Sequence, residues 1–145
     1  MTFRGFATIS FYADDLAAAR DWYARLLDVE PYYAYPHPPE APAYVEFRVG
    51  DDEDELGIID RRYAPAGGRG TPGGAIMHWR VDELPGTVQR LLDMGATEYD
   101  PITERESGFA TASLVDPFGN VLGVMHNPHY VEIVAGRSTN TPQPR

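Results

Sequence analysis

Val115-Asp116-Pro117-Phe118-Gly119-Asn120-Val121-Leu122-Gly123-Val124-Met125 is a segment whose pattern predicts a strand, a tight turn and a second strand. Asp-Pro is typical of the first corner of a turn, and Gly-Asn tolerates positive φ. The apolar residues after the turn predict a short buried strand. An earlier copy exists, because residues 47–59 align without a gap with residues 113–125. An internal repeat indicates that each copy belongs to one supersecondary unit.

Composition restricts the class of protein. The 145 residues suit one domain with a sizeable core. A formal charge of −10 without a basic stripe argues against nucleic acid and anionic membranes as partners. The absence of cysteine excludes disulfides, thiol nucleophiles and thiolate metal sites. The sequence shows neither a signal-peptide core nor an apolar run of about 18 residues, so we expect a soluble, cytoplasmic protein.

Hydrophobic periodicity predicts the element order β-α-β-β-β twice, in modules of about residues 4–60 and 74–127. The predicted strands are 6–12, 32–35, 43–49 and 56–60 in the first module, and 75–81, 97–99, 109–115 and 121–126 in the second. The predicted helices are 16–27, capped by Asp14 or Asp15, and 84–94, capped by Asp82. The expected fold class is therefore α+β.

The two modules are joined by a Gly- and Pro-rich stretch, residues 61–73, which we interpret as a linker. A phosphate-binding loop is the alternative, but the stretch lacks a Gly-Lys-Ser/Thr ending and a strand follows it. We expect one folded domain over residues 1–135 and a flexible tail over residues 136–145, which lacks apolar residues.

The paired modules, the Asp15-Leu16 helix start and Asp-Pro-Phe-Gly-Asn at 116–120 together resemble the vicinal oxygen chelate superfamily. That superfamily includes glyoxalases, extradiol dioxygenases and bleomycin-resistance binding proteins, and the resemblance covers about residues 3–128. It implies two curved mixed sheets around a shared cavity, with the helices outside. It also implies a homodimer, since two chains of the superfamily usually combine four modules.

Enzymes of the superfamily carry metal ligands in the first and last strands of each module. Carried over to this chain, those positions fall on Thr8, Gly57, Ile76 and Gly123. None of these residues is a good ligand for a divalent cation. The resemblance is therefore to a metal-free, bleomycin-resistance-like member, and we expect no metal, no cofactor and no catalytic residue.

The four histidines are the remaining candidates for a metal-binding or ligand-binding role. His126 and His129 are interpreted as surface or strand-end residues, and His37 lies in a proline-rich loop. Side chains alternate along a strand, so His78 shares a face with Ile76 and Arg80. If that face lines the cavity, His78 can contact a ligand; the alternative is a core histidine whose polar group is satisfied by one hydrogen bond.

The same alternation gives an expected cavity lining. The lining comprises Phe6, Thr8, Ser10, Tyr12, Tyr44, Glu46, Arg48, Gly57 and Ile59 in the first module, and Ile76, His78, Arg80, Ala110, Ala112, Leu114, Gly123 and Met125 in the second. The candidate ligand-binding residues are Tyr12, Tyr44, Glu46, Arg48, Ile59, His78, Arg80, Leu114 and Met125. Small residues are expected to leave room for a ligand, and aromatic rings to provide flat walls for it.

The resemblance to the superfamily, together with this lining, implies two alternative functions. The first is metal-independent binding of a bulky, partly aromatic small molecule, as in antibiotic sequestration, and the acidic charge suits a cationic ligand. The second is a lyase, isomerase or dioxygenase, either metal-dependent or with Glu46 and His78 as acid and base. An interaction domain that binds a protein is a third, simpler possibility.

Overall fold

The computed structural model describes residue 2 and residues 6–65 and 70–138. The chain forms two compact units with a boundary between Pro72 and Gly73. The turn Pro117–Asn120 lies within the sequence of the second module but belongs to the first unit. Within the described ranges, no helix has the length and apolar character that a membrane span requires.

The first unit contains a helix and a four-stranded sheet. Its elements are β1 (Thr8–Ala13), α1 (Leu16–Leu27), β2 (Tyr33–Tyr35), β3 (Tyr44–Val49) and β4 (Asp54–Asp60), followed by a one-turn 3-10 helix over Arg61–Tyr63. The strand order is β1-β4-β3-β2, with β1 and β4 parallel and the other pairs antiparallel. The sheet is therefore mixed, as predicted.

Helix α1 packs on one face of this sheet. The Asp15 side chain accepts a hydrogen bond from the Ala18 amide at 2.9 Å, which confirms the predicted cap. The helix buries Leu16, Ala19, Trp22 and Tyr23 against the sheet. The buried sheet residues are Phe11, Ala13, Val45, Phe47, Leu56 and Ile58. Because side chains alternate along a strand, the residues between them face away from the core.

The second unit has the same order of elements and an additional helix. Its elements are β5 (His78–Arg80), α2 (Leu84–Asp93), β6 (Thr97–Glu104), β7 (Ala110–Val115), β8 (Val121–His126) and α3 (Pro128–Ser138). The strand order is β5-β8-β7-β6, with β5 and β8 parallel. The predicted α+β class with two β-α-β-β-β modules is confirmed.

Several predicted boundaries were wrong. Glu83 rather than Asp82 caps α2, since its side chain accepts a hydrogen bond from the Gly86 amide at 2.6 Å. Helix α3 was not predicted, and it extends to Ser138, so residues 136–138 are helical rather than part of a tail. The rest of the predicted tail, 139–145, and residues 66–69 of the predicted linker lie outside the described residues.

The face predicted for β7 was also wrong. Ser113 pairs with Gly123 and Thr111 with Met125, so these four residues share one face. Leu114 pairs with Leu122 on the opposite face, where both are buried. The loop before β8 is longer by one residue than the loop before β4, because Val115 pairs with Val121 whereas Val49 pairs with Asp54. A shift of one residue reverses the faces of a strand, so Ala110, Ala112 and Leu114 lie on the helix side.

The Asp-Pro-Phe-Gly-Asn turn holds β1 of the first unit. The Asn120 side chain accepts a hydrogen bond from the Tyr12 amide at 3.1 Å and donates one to the Tyr12 carbonyl at 2.9 Å. Arg61 donates to the same carbonyl at 3.2 Å and to the Phe118 carbonyl at 2.7 Å. The Phe118 ring packs edge-on against Trp22, with centroids 6.2 Å apart. The motif therefore stabilises the first unit.

Replacement of Asn120 by alanine removes both hydrogen bonds to Tyr12. We expect Asn120→Ala to lower the free energy of unfolding by about 1–3 kcal/mol, because the Tyr12 amide loses its acceptor and the Tyr12 carbonyl loses one of its two donors. Urea unfolding followed by tryptophan fluorescence measures the loss. Gln89→Ala is the control, since this exposed amide donates a hydrogen bond to Asp93 on the same helix. Equal stability losses in the two variants would contradict the stabilising role of Asn120.

Candidate functional site

One face of the first sheet, opposite α1, gathers polar and aromatic side chains. The cross-strand rows on this face are Tyr12–Ile59–Tyr44, Ser10–Gly57–Glu46 and Thr8–Glu55–Arg48. The structure thus places five candidate residues, Tyr12, Tyr44, Glu46, Arg48 and Ile59, on one face, as alternation predicts. We call this surface the polar face. Glu55 was not among the candidate residues, although the same alternation from Gly57 leads to it.

A buried carboxylate lies at the centre of the polar face. Glu46 is only 8% exposed, and its two oxygens accept hydrogen bonds from the hydroxyls of Tyr32 and Tyr44, one each. Burial of a carboxylate is costly unless hydrogen bonds compensate it, and two phenol donors provide that compensation. Tyr32 precedes β2 and was not among the candidate residues.

The hydrogen bond to Glu46 and burial also raise the pKa values of the two phenols. Burial, followed by the hydrogen bond to Glu46, raises the pKa of Tyr44 far above its ordinary value of 10.0. The hydrogen bond to Glu46 is the main cause that raises the pKa of Tyr32. Ionisation of either phenol would place a second negative charge beside the carboxylate. Both tyrosines therefore remain protonated donors at neutral pH.

The glycines on the last strands do not leave open space. A Cβ atom at position 57 would lie 2.7 Å from Cε2 of Tyr44, so the Tyr44 ring covers Gly57. A Cβ atom at position 123 would lie 2.5 Å from Cδ2 of His78, so the His78 ring covers Gly123. The expectation that these glycines make room for a ligand was wrong, because neighbouring rings use the space.

Arg48 and Glu55 complete the polar face. The Arg48 guanidinium lies over the Tyr32 ring, 4.0 Å from its centroid. Glu55 accepts a hydrogen bond from the Thr8 hydroxyl at 2.8 Å, and its other oxygen lies 3.4 Å from the Tyr32 hydroxyl. Arg48 has a distant ion-pair partner in Glu53, at 4.0 Å, and its side chain is 47% exposed. The guanidinium is therefore held mainly by Tyr32.

Exposed aromatic rings continue from the polar face along β2 and the loop that follows it. Tyr33 and Tyr35 flank His37 edge-on, with ring centroids 5.7 and 5.8 Å from the imidazole. Tyr33 also lies 6.4 Å from Tyr32 and 6.3 Å from Tyr44, between ring centroids. Tyr32, Tyr33 and Tyr35 are 47%, 40% and 57% exposed. We call Tyr32, Tyr33, Tyr35, His37 and Tyr44 the aromatic cluster.

The second unit carries the remaining candidate residues on its own sheet. His78 is exposed and pairs with Gly123, and Arg80 pairs with Met125 on the same face. The Arg80 guanidinium donates to the Asp82 carboxylate. On this face β7 contributes Thr111 and Ser113. The predicted residues Ala110, Ala112 and Leu114 lie on the opposite face. His126 ends β8 and His129 lies in α3, and both are exposed, as predicted.

The strand register shows which residues lie beside the positions carried over for metal ligands. Thr8 pairs with Glu55, Ser10 pairs with Gly57, and His78 pairs with Gly123. Among the neighbours of the two glycines, His78 is a residue whose side chain binds divalent metals well. Elsewhere in the described ranges, no three His, Asp or Glu side chains lie close enough together to hold a metal ion. The residues present do not fit the metal centre that the fold implies.

The raised pKa of Tyr44 predicts an alkaline loss of stability. Above pH 10.0, the ordinary tyrosine value, the unfolded chain loses a proton that the folded chain retains, so stability falls as pH rises. We expect Tyr44→Phe to show a smaller fall between about pH 9 and about pH 11, measured by urea unfolding. Exposed Tyr63→Phe should retain the full fall. If Tyr44→Phe and the wild type lose stability equally, the shift assigned to Tyr44 is wrong.

Comparisons with known proteins agree with this architecture. The model of the "Glyoxalase/Bleomycin resistance protein/Dioxygenase superfamily" matches residues 5–124. No curated protein sequence matches significantly. Among solved structures, a member of the same superfamily from Sphaerobacter thermophilus is 16% identical, with a TM-score of 0.67 and coverage of 88% of this chain and 100% of that one.

Two further structures show the same likeness of fold. A glyoxalase/bleomycin resistance protein from Catenulispora acidiphila is 21% identical over 86% of this chain and 100% of its own, with a TM-score of 0.57. A lactoylglutathione lyase from Agrobacterium tumefaciens is 19% identical over 85% of this chain and 93% of its own, with a TM-score of 0.62. The chain belongs to the glyoxalase/bleomycin resistance protein/dioxygenase superfamily.

Proposed function

We propose that this protein binds a bulky, partly aromatic small molecule, without a metal ion, on the polar face and the aromatic cluster of the first unit. Antibiotic sequestration is the type of function that this binding suggests. The observation that carries the proposal is the exposure of Tyr33 and Tyr35 beside a buried carboxylate. Large exposed aromatic patches next to polar groups are typical of ligand sites.

The geometry of the aromatic cluster favours a planar ligand. Tyr33 lies within 6.4 Å of Tyr32 and Tyr44, so its ring connects the exposed and the half-buried parts of the cluster. Stacked or edge-on aromatic pairs contribute about 0.5–1.5 kcal/mol each beyond the burial of area. A ligand with several fused rings therefore gains contacts with more than one tyrosine.

The enzymatic alternative finds less support in the first unit. Glu46 is 8% exposed and each of its oxygens already accepts a hydroxyl hydrogen bond, so a substrate has little access to either oxygen. Glu46 and His78 belong to different units and share no sheet. The lyase among the solved structures is less than 25% identical to this chain and therefore supports a common fold only.

Fluorescence anisotropy with three planar probes tests the proposal. The probes are proflavine, a cation, anthracene carboxylate, an anion, and anthracene methanol, which is neutral. We expect saturable binding of at least one probe and a loss of about threefold to tenfold in affinity in Tyr33→Ala, because one stacking contact is removed. Tyr63→Ala, an exposed tyrosine outside the cluster, is the control. The absence of saturable binding for all three probes would refute the proposal.

Metal independence has its own test. Dialysis of the protein against a chelator should leave the affinity for the bound probe unchanged, because no three His, Asp or Glu side chains in the described ranges lie close enough together to hold a metal ion. Elemental analysis of protein purified without chelator measures any retained metal. A loss of probe binding after dialysis that added zinc or nickel restores would contradict this part of the proposal.

A further inference from the structure

We infer that the ligand presents a planar cationic N–H donor group, of the guanidinium or amidinium type, to the Tyr32 and Tyr44 hydroxyls, and that Arg48 competes with it for the Tyr32 ring. This inference rests on the proposed function and specifies its ligand class. Three observations carry it: the direction of the tyrosine hydrogen bonds, the position of Arg48 and the charge of the polar face.

The first observation concerns the hydroxyl protons. A phenol has one proton to donate, and Tyr32 and Tyr44 each donate theirs to Glu46. Their hydroxyl oxygens therefore retain only acceptor capacity for any other molecule. A ligand that meets both hydroxyls must donate hydrogen bonds, whereas a carboxylate, phosphate or ketone would meet lone pairs. The Glu46 carboxylate thus selects a donor ligand without contacting it.

The second observation is an internal example of such a ligand. The Arg48 guanidinium, a planar cation with N–H donors, lies 4.0 Å from the centroid of the Tyr32 ring. The site therefore already stabilises a planar donor cation by stacking. Arg48 is half exposed, so a ligand cation can displace it into solvent.

The third observation is the balance of charge. The polar face carries the carboxylates of Glu46 and Glu55 and one cation, Arg48. Displacement of Arg48 leaves two carboxylates beside the Tyr32 hydroxyl, one of which lies 3.4 Å away. A ligand cation restores the balance, whereas an anion is repelled by both carboxylates.

The experiment compares the three planar probes on the full chain. We expect proflavine to bind at least about tenfold more tightly than the neutral or anionic probe, since charged hydrogen bonds are about twice as strong as neutral ones. If the anionic or neutral probe binds as tightly as proflavine, the inference is overturned while the proposed function stands. If no probe binds, the proposed function fails and the inference fails with it.

Arg48→Met removes the competing cation and keeps the bulk of the side chain. We expect this variant to bind proflavine about threefold to tenfold more tightly, which corresponds to the free energy of one cation–π contact. Arg62→Met is the matched control, because it removes the same charge from an arginine that lies over Tyr63 instead. Equal effects of the two substitutions, or weaker binding in Arg48→Met, would overturn the competition by Arg48.

Glu46→Gln tests the direction of the hydrogen bonds. A glutamine amide donates to one of the tyrosines, which frees that tyrosine's proton to point towards the ligand. We expect proflavine affinity to fall by at least about tenfold, with little change for anthracene methanol. Glu30→Gln, an exposed carboxylate paired with Arg20, is the control. Unchanged proflavine affinity in a folded Glu46→Gln protein would overturn the inference. Urea unfolding establishes that the Glu46→Gln protein is folded. The increase in proflavine affinity expected in Arg48→Met cannot arise from misfolding, because a misfolded site binds less tightly.

Discussion

The Asn120 side chain, hydrogen-bonded to both backbone groups of Tyr12, is the constraint on which the first unit depends. An asparagine amide has a donor and an acceptor side by side, so it pairs with a strand residue as a neighbouring strand would. Strand β1 is an edge strand of its sheet, and unpaired edge groups are a liability. The Asp-Pro-Phe-Gly-Asn motif is therefore a feature of the fold, and it says nothing about a reaction.

Alternation along β3 then separates the core from the polar face. Val45 and Phe47 are fully buried beneath α1, while Glu46 between them points to the opposite side of the sheet. Glu46 is buried there as well, by the tyrosines that donate hydrogen bonds to it. One carboxylate thus fixes the orientation of two phenols, and the phenols determine which hydrogen bonds a ligand can make.

The sequence predicts much of this arrangement where local rules suffice. The predicted polar side of β3 was correct, because Glu46 and Arg48 alternate with apolar residues within one strand. The face of β7 was wrong because a loop with one more residue reverses alternation, and the ungapped repeat concealed that residue. Helix α3 was not predicted, although it begins at Pro128 and proline is common at the first helical position. The rings over Gly57 and Gly123 depend on side-chain rotamers, which periodicity does not specify.

The central claim, that a planar ligand binds to the first unit at the aromatic cluster, is tested most directly by mapping amide chemical shifts during titration with proflavine. The account predicts that the largest saturable changes fall within residues 32–37 and 44–48, which contain the cluster and Glu46. Changes concentrated in β5 and β8 of the second unit, around His78 and Gly123, would contradict it.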